Sequence, residues 1–117
     1  MPEAVSVFFN PRCSKCRTAR DLLAERGVDA RYVHYLDDER PSRAELERIM
    51  GLLGIDDPRE MMRTGESAYK DLGLADAGRD ALLDAMATHP ILIERPIVIK
   101  GDRAVVARPP QLLLDLL

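Results

Sequence analysis

The chain has 117 residues, 46% of them hydrophobic and 32% charged, enough for one folded core without metal or disulfide staples. Its 17 basic and 20 acidic side chains leave a formal charge of −3, which argues against a protein that rides the nucleic-acid backbone. No apolar run approaches a membrane span, and Met1-Pro2-Glu3 opens no export signal, so a single cytoplasmic domain, 1–117, is expected, acting as a monomer.

Val5-Ser6-Val7-Phe8-Phe9 is a short β-branched and aromatic run that suits a buried strand. Asn10-Pro11-Arg12 breaks it. From Cys13 onward, Cys16, Ala19, Leu22 and Leu23 recur at helical spacing, and Gly27 is placed to end the helix. Arg31 to Leu36 reads as a second strand, parallel to the first by the handedness of strand–helix–strand units. The middle is helical. Ser42-Arg43-Ala44-Glu45 is a capping box that opens a helix with Leu46, Ile49, Met50 and Leu53 on one face. Asp57-Pro58-Arg59-Glu60 repeats that logic with proline at the first helical position. A segment with Tyr69 and Leu72 is open between short helix and loop. Arg79 to Thr88 is another helix, with Leu82, Leu83 and Met86 inward, stopped by His89-Pro90. Pro96 to Ile99 and Ala104 to Ala107 flank a Gly-Asp turn and read as a hairpin, and Gln111 to Leu117 as a closing helix.

The order is therefore βαβ, a helical block, then ββα. It fits an α/β fold of the thioredoxin-like kind, a four-stranded mixed sheet with a helical insertion at about 41–88.

Cys13 and Cys16 are the two cysteines of the chain and form a single C-x-x-C. A secreted disulfide scaffold needs more, and structural zinc normally takes four ligands, which the isolated His34 and His89 do not complete, so no metal is expected. A lone C-x-x-C beside a strand–helix–strand unit reads instead as a redox or nucleophilic thiol site. Cys13 falls at the start of the first helix, where unpaired amides and the helix dipole favour an anion. Arg12, Lys15 and Arg17 add positive charge around it. Cys13 is the expected nucleophile; Cys16, one turn on and on the apolar face, is either a resolving thiol or a core residue. His34, within the second strand, and His89 read as structural. Met50, Met61, Met62 and Met86 read as core filler, and the acids of 37–39 and 76–84 as solvated surface.

Several strings together carry a resemblance. Asn10-Pro11-Arg12-Cys13, Met62-Arg63-Thr64-Gly65-Glu66 with Tyr69 to Leu74, the run His89-Pro90-Ile91-Leu92-Ile93-Glu94-Arg95-Pro96-Ile97-Val98, and Ala107-Arg108-Pro109 resemble the glutaredoxin-coupled, ArsC-type arsenate reductases. The resemblance runs from about Val5 to Leu117. It implies that Cys13 attacks arsenate held by Arg63, Arg95 and Arg108, with Asn10 and Pro96 in support and Arg95-Pro96 as the cis peptide of the fold. The physics agrees: a tetrahedral dianion held against a thiolate needs fixed, forked cations. It further implies that no cofactor is bound and that electrons come from glutathione with glutaredoxin, or from thioredoxin.

Two positions depart from the family pattern. Phe9 stands where members often carry a histidine that helps to ionise the nucleophile. Cys16 stands where glutathione-dependent members usually lack a thiol, and the resulting C-x-x-C also resembles the Spx-type regulators that bind RNA polymerase. A Spx-like redox regulator and a general thiol–disulfide oxidoreductase are therefore the competing readings. The latter would need no convergent arginines.

Overall fold

The computed structural model of the chain describes residues 4–117. Residues 1–3, on which the expected absence of an export signal rests, lie outside them. The described residues form two compact units, one being Arg40–Glu94 and the other the segments on either side of it.

The flanking unit holds a four-stranded sheet: β1 (Val5–Phe8), β2 (Ala30–Val33), β3 (Ile97–Lys100) and β4 (Arg103–Val106), in the order β2-β1-β3-β4. β1 pairs parallel with β2 and antiparallel with β3, and β3 pairs antiparallel with β4. The two central strands carry the near-continuous apolar runs, because side chains on both their faces are covered. The edge strands are half-buried and more polar. Helix α1 (Ser14–Glu25) buries Cys16, Ala19 and Leu23 along one stripe. Leu23 and Ala19 join Val5, Val7, Val98, Ala107, Leu113 and Leu116 in one apolar core.

Gly27 ends α1 as expected, and the geometry shows how. It adopts a left-handed φ of 68°, its N–H donates to the Ala24 carbonyl at 3.0 Å, and Val28 N–H donates to Leu23 at 3.0 Å. That is a Schellman motif, which a side chain at residue 27 would strain. Gly101, with φ of 59°, begins the two-residue loop between Lys100 and Arg103, the arrangement of a type II′ turn.

The Arg40–Glu94 unit is helical: α2 (Arg43–Leu53), α3 (Ser67–Asp71) and α4 (Arg79–Thr88), with 3₁₀ turns at Pro58–Met61, Leu74–Asp76 and Pro90–Leu92. α2 packs on α4 through Leu46, Ile49 and Met50 on one side and Leu82, Leu83 and Met86 on the other. Arg43 joins the same two helices on the surface, donating to Asp84 at 3.0 Å and Asp80 at 2.5 Å. Ser42 caps α2, its hydroxyl accepting from Glu45 N–H at 3.2 Å. Replacing Ser42 by Ala is expected to lower stability by about 1 kcal/mol, read as a shift in urea midpoint with an unchanged slope.

Several sequence expectations are corrected. The second strand ends at Val33, not Leu36, so His34 lies outside it. The chain turns there because His34 N–H donates to the Glu39 carboxylate at 3.2 Å and Tyr35 swings to stack on Phe8, with centroids 5.5 Å apart. The Asp57-Pro58 start yields only a 3₁₀ turn. There the Arg59 guanidinium donates to the Tyr69 hydroxyl at 3.0 Å and to the Leu74 and Ala77 carbonyls at 2.8 Å, tying down the following loop. Tyr69 lies in the short helix α3, which resolves that segment. The closing helix is a 3₁₀ helix, Pro110–Leu116, whose Leu113 and Leu116 pack into the core while Arg103 donates to the Leu116 carbonyl at 2.9 Å. The four core methionines named above are all buried. Of the acids expected on the surface, Asp37 and Asp38 are exposed, whereas Glu39 is half-buried and paired with Arg31.

Candidate active site

Asn10 shapes the loop that follows β1. Its side-chain oxygen accepts from Arg12 N–H at 3.0 Å and its carbonyl accepts from Cys13 N–H at 3.0 Å, a turn that delivers Cys13 to the N-cap of α1. Arg17 locks the turn from the helix side, donating to the Pro11 carbonyl at 2.9 Å. Cys13 makes no side-chain capping bond of full geometry, yet its sulfur lies among groups that favour an anion. Burial pushes the thiol up. The Arg95 side chain, the backbone N–H of Cys16, the Cys16 thiol and the backbone N–H of Lys15 outweigh that, and the pKa falls to about 7. An ordinary thiol is only about 3% ionised at neutral pH, whereas this one is close to half.

Cys16 behaves oppositely. Burial, the Cys13 thiolate and the hydrogen bond with Cys13 push it up, against the Asn10 backbone amide and the Arg95 charge, to about 12. Both sulfurs sit in one apolar cluster with Phe9, with Tyr32 packed against it. Cys13 is 7% exposed and Cys16 not at all. Phe9, the residue in place of the family's histidine, fills this cluster, meets Tyr32 edge-on at 5.2 Å and lies under the Arg20 guanidinium at 5.8 Å. It contributes apolar packing and no proton.

Strand register explains how distant residues converge. Phe8 pairs with Ile97, so the residues just before β3 lie beside those just after β1. Arg95 and Pro96 therefore come to the loop of Cys13, and the Arg95–Pro96 peptide is cis. Ile97 in turn pairs with Val106, which places Arg108 beside Arg95. Arg108 donates to the Arg95 carbonyl at 2.9 Å, and the Ala107 N–H donates to the Pro96 carbonyl at 2.9 Å. The Arg108–Pro109 peptide is also cis, which sequence reasoning did not anticipate. Cys13, Arg95 and Arg108 thus form one linked constellation.

Arg63 belongs to the Arg40–Glu94 unit. Its backbone N–H donates to the Leu92 carbonyl at 2.7 Å, next to a bridge between Met62 and Ile93. Its guanidinium donates through Nε to Glu66 at 2.9 Å and lies 3.7 Å from Glu94. All three side chains are about three-quarters covered, so the pairings are less screened than surface salt bridges. Sequence reasoning missed Glu66 and Glu94; the i, i+3 spacing of Arg63 and Glu66 was the available signal for the first. His34 and His89 are exposed. Among the described residues, no group of three or more His, Cys, Asp or Glu side chains is placed to hold a metal ion, and no helix is long and apolar enough to cross a membrane.

Comparison with known proteins matches residues 8–116 to the ArsC family. An arsenate reductase of Neisseria meningitidis is 50% identical over 111 residues, covering 93% of both chains. One from Haemophilus influenzae is 43% identical over 116 residues, covering 97% of this chain and 99% of that one. A solved arsenate reductase from Vibrio cholerae has a TM-score of 0.96 at 42% identity and covers 100% of each chain. With these matches, the α/β architecture is that of the thioredoxin-like fold.

Proposed function

The chain belongs to the ArsC family, and on that premise we propose that it is a thiol-dependent arsenate reductase, converting arsenate to arsenite. One arrangement carries the reading: Cys13 at a helix start, with Arg95 brought to its loop by the β1–β3 register and braced by a second arginine, Arg108, and a thiol lowered toward neutrality beside them. A general disulfide oxidoreductase needs the lowered thiol and has no use for the pair of arginines.

In the proposed reaction the Cys13 thiolate attacks arsenic, while the guanidinium groups of Arg95, Arg108 and Arg63 hold the oxyanion. Arginine suits the task because its planar fork matches tetrahedral oxygens and it cannot lose its charge. The same donors stabilise charge that builds on oxygen as the thiolate attacks. Asn10 and Pro96 support the site by shaping the loops that carry Cys13 and Arg95. The electrons come from thiols, with glutathione and glutaredoxin or thioredoxin as donor, and no bound cofactor takes part. The chain would act as one ArsC domain with the helical block at about 41–88 as an insertion, a reading that the length of the family match, residues 8–116, supports.

The test is a coupled assay following arsenate-dependent NADPH consumption with the glutaredoxin and thioredoxin systems in turn. Turnover with one or both is expected; none with either would remove the assignment. Arg63 offers a narrower check. Replacing it by Ala is expected to raise KM for arsenate by roughly tenfold or more, since hydrogen bonds to charged groups contribute about 1.5–3 kcal/mol.

A further inference from the structure

We propose that Cys16 is the resolving thiol of this chain, displacing whatever adduct Cys13 has formed and leaving a Cys13–Cys16 disulfide for a dithiol carrier protein. Only the identity of the adduct rests on the reading above.

The placement argues for this. Cys13 is the N-cap of α1 and Cys16 stands three residues on, one helical turn away and on the same face. Both occupy one apolar cluster with Phe9, and each thiol bears on the ionisation of the other. Cys16 has no exposed surface, so it cannot serve as the entry point for an external partner; its natural target is the neighbouring sulfur.

Electrostatics then sets the order of events. Burial holds the Cys16 thiol protonated, and so do the charge on Cys13 and its hydrogen bond, while the Asn10 amide and Arg95 pull the other way. Once Cys13 is bonded to another atom it is no longer an anion. Its charge and its acceptor role vanish together, whereas Asn10 and Arg95 remain. Cys16 is thereby easier to ionise after Cys13 has reacted than before, which keeps the two thiols from competing for substrate.

With arsenate the balance is as follows. The Cys13 thiolate displaces an oxygen, which leaves as water, and a sulfur–arsenic bond forms. Cys16 then gives its proton to an arsenic-bound oxygen and its sulfur attacks Cys13 Sγ. The sulfur–sulfur bond forms, the sulfur–arsenic bond breaks, and the electron pair stays on arsenic, which goes from the pentavalent to the trivalent state. Two thiols have become one disulfide, and a dithiol protein returns both electrons by exchange at Cys13, the less buried sulfur.

The experiment uses pre-reduced protein freed of small thiols, in two arms. Oxidised glutathione alone probes the thiol pair. The wild type is expected to become lighter by two hydrogens, with a Cys13–Cys16 peptide link, whereas Cys16→Ser and Cys16→Ala stop at a glutathione adduct on Cys13. A wild type that retains the glutathione adduct overturns the proposal. Stoichiometric arsenate forms the second arm: one arsenite released per wild-type chain with loss of both thiols is expected, and Cys16 variants should release it only after a thiol is added. Equal release from wild type and variants overturns the proposal, whereas disulfide formation in the first arm without arsenite in the second removes the arsenate reading and leaves the resolving role standing. Thermal unfolding of both variants verifies that they are folded.

Discussion

Cys13→Ser is expected to reduce arsenate turnover by at least roughly a thousandfold, with no thiol donor restoring it. Serine is a favoured N-cap residue, so the helix start is preserved and stability should change little. What disappears is the sulfur anion. A hydroxyl is not ionised by the forces that bring a thiol down to about 7, and oxygen cannot pass its electrons to arsenic by forming a disulfide. The remaining cysteine has no exposed surface, so it cannot substitute. The check is the coupled assay beside thiol counting: turnover should vanish and the alkylation that follows an inflection near 7 should vanish with it. Residual turnover within tenfold of the wild type would place the nucleophile elsewhere.

Arg95→Ala should affect two quantities at once. The Arg95 hydrogen bond is the first of the influences that lower Cys13 against the upward push of burial. Without it the thiol should rise toward or above its ordinary value, by roughly one unit or more, as is typical for loss of an adjacent opposite charge. The sign is then fixed. In the wild type kcat/KM should climb with pH through about 7 and level off above it, because the ionised form attacks. In the variant the same climb should occur at higher pH, so the deficit is greatest near neutrality and narrows in mild alkali. A second loss should remain there and appear in KM if Arg95 holds the oxyanion as proposed. Arg95→Lys separates the two: a point charge restores much of the ionisation but not the fork that grips two oxygens. If iodoacetamide profiles of wild type and Arg95→Ala coincide, Arg95 does not control the thiol.

Both experiments turn on a contact between residues more than 80 positions apart in the sequence. Much of what surrounds that contact is local and was legible without it. The Val5–Phe8 run, the helical spacing of Cys16, Ala19 and Leu23, the Ser42 cap, the span of α4 and the Gly101 turn each follow from side-chain volume, φ preference or hydrogen-bonding reach within a few residues. The errors are equally instructive. Tyr35 left the strand pattern, its ring buried against Phe8 by a stacking contact that no local periodicity encodes. The closing segment has helical spacing but wound as 3₁₀ between Pro110 and Leu116, where Leu113 and Leu116 reach the sheet.

Local pattern sufficed for the order of strands and helical segments and for the seat of Cys13 at the start of a helix, since propensity, capping and hydrophobic period act over short stretches of chain. The family strings implied Arg95 and Arg108 as oxyanion ligands without saying how the two come together. That was decided by the register of β3 against β1 and β4, where Phe8 opposite Ile97 and Ile97 opposite Val106 carry Arg95 to the cysteine loop and Arg108 to Arg95. Tertiary structure also decided the opposite ionisation of Cys13 and Cys16 and the pairing of Arg63 with Glu66 and Glu94. Desolvation and charge depend on what surrounds a group in space, and a C-x-x-C has the same spelling whether its second thiol is exposed or sealed in the core.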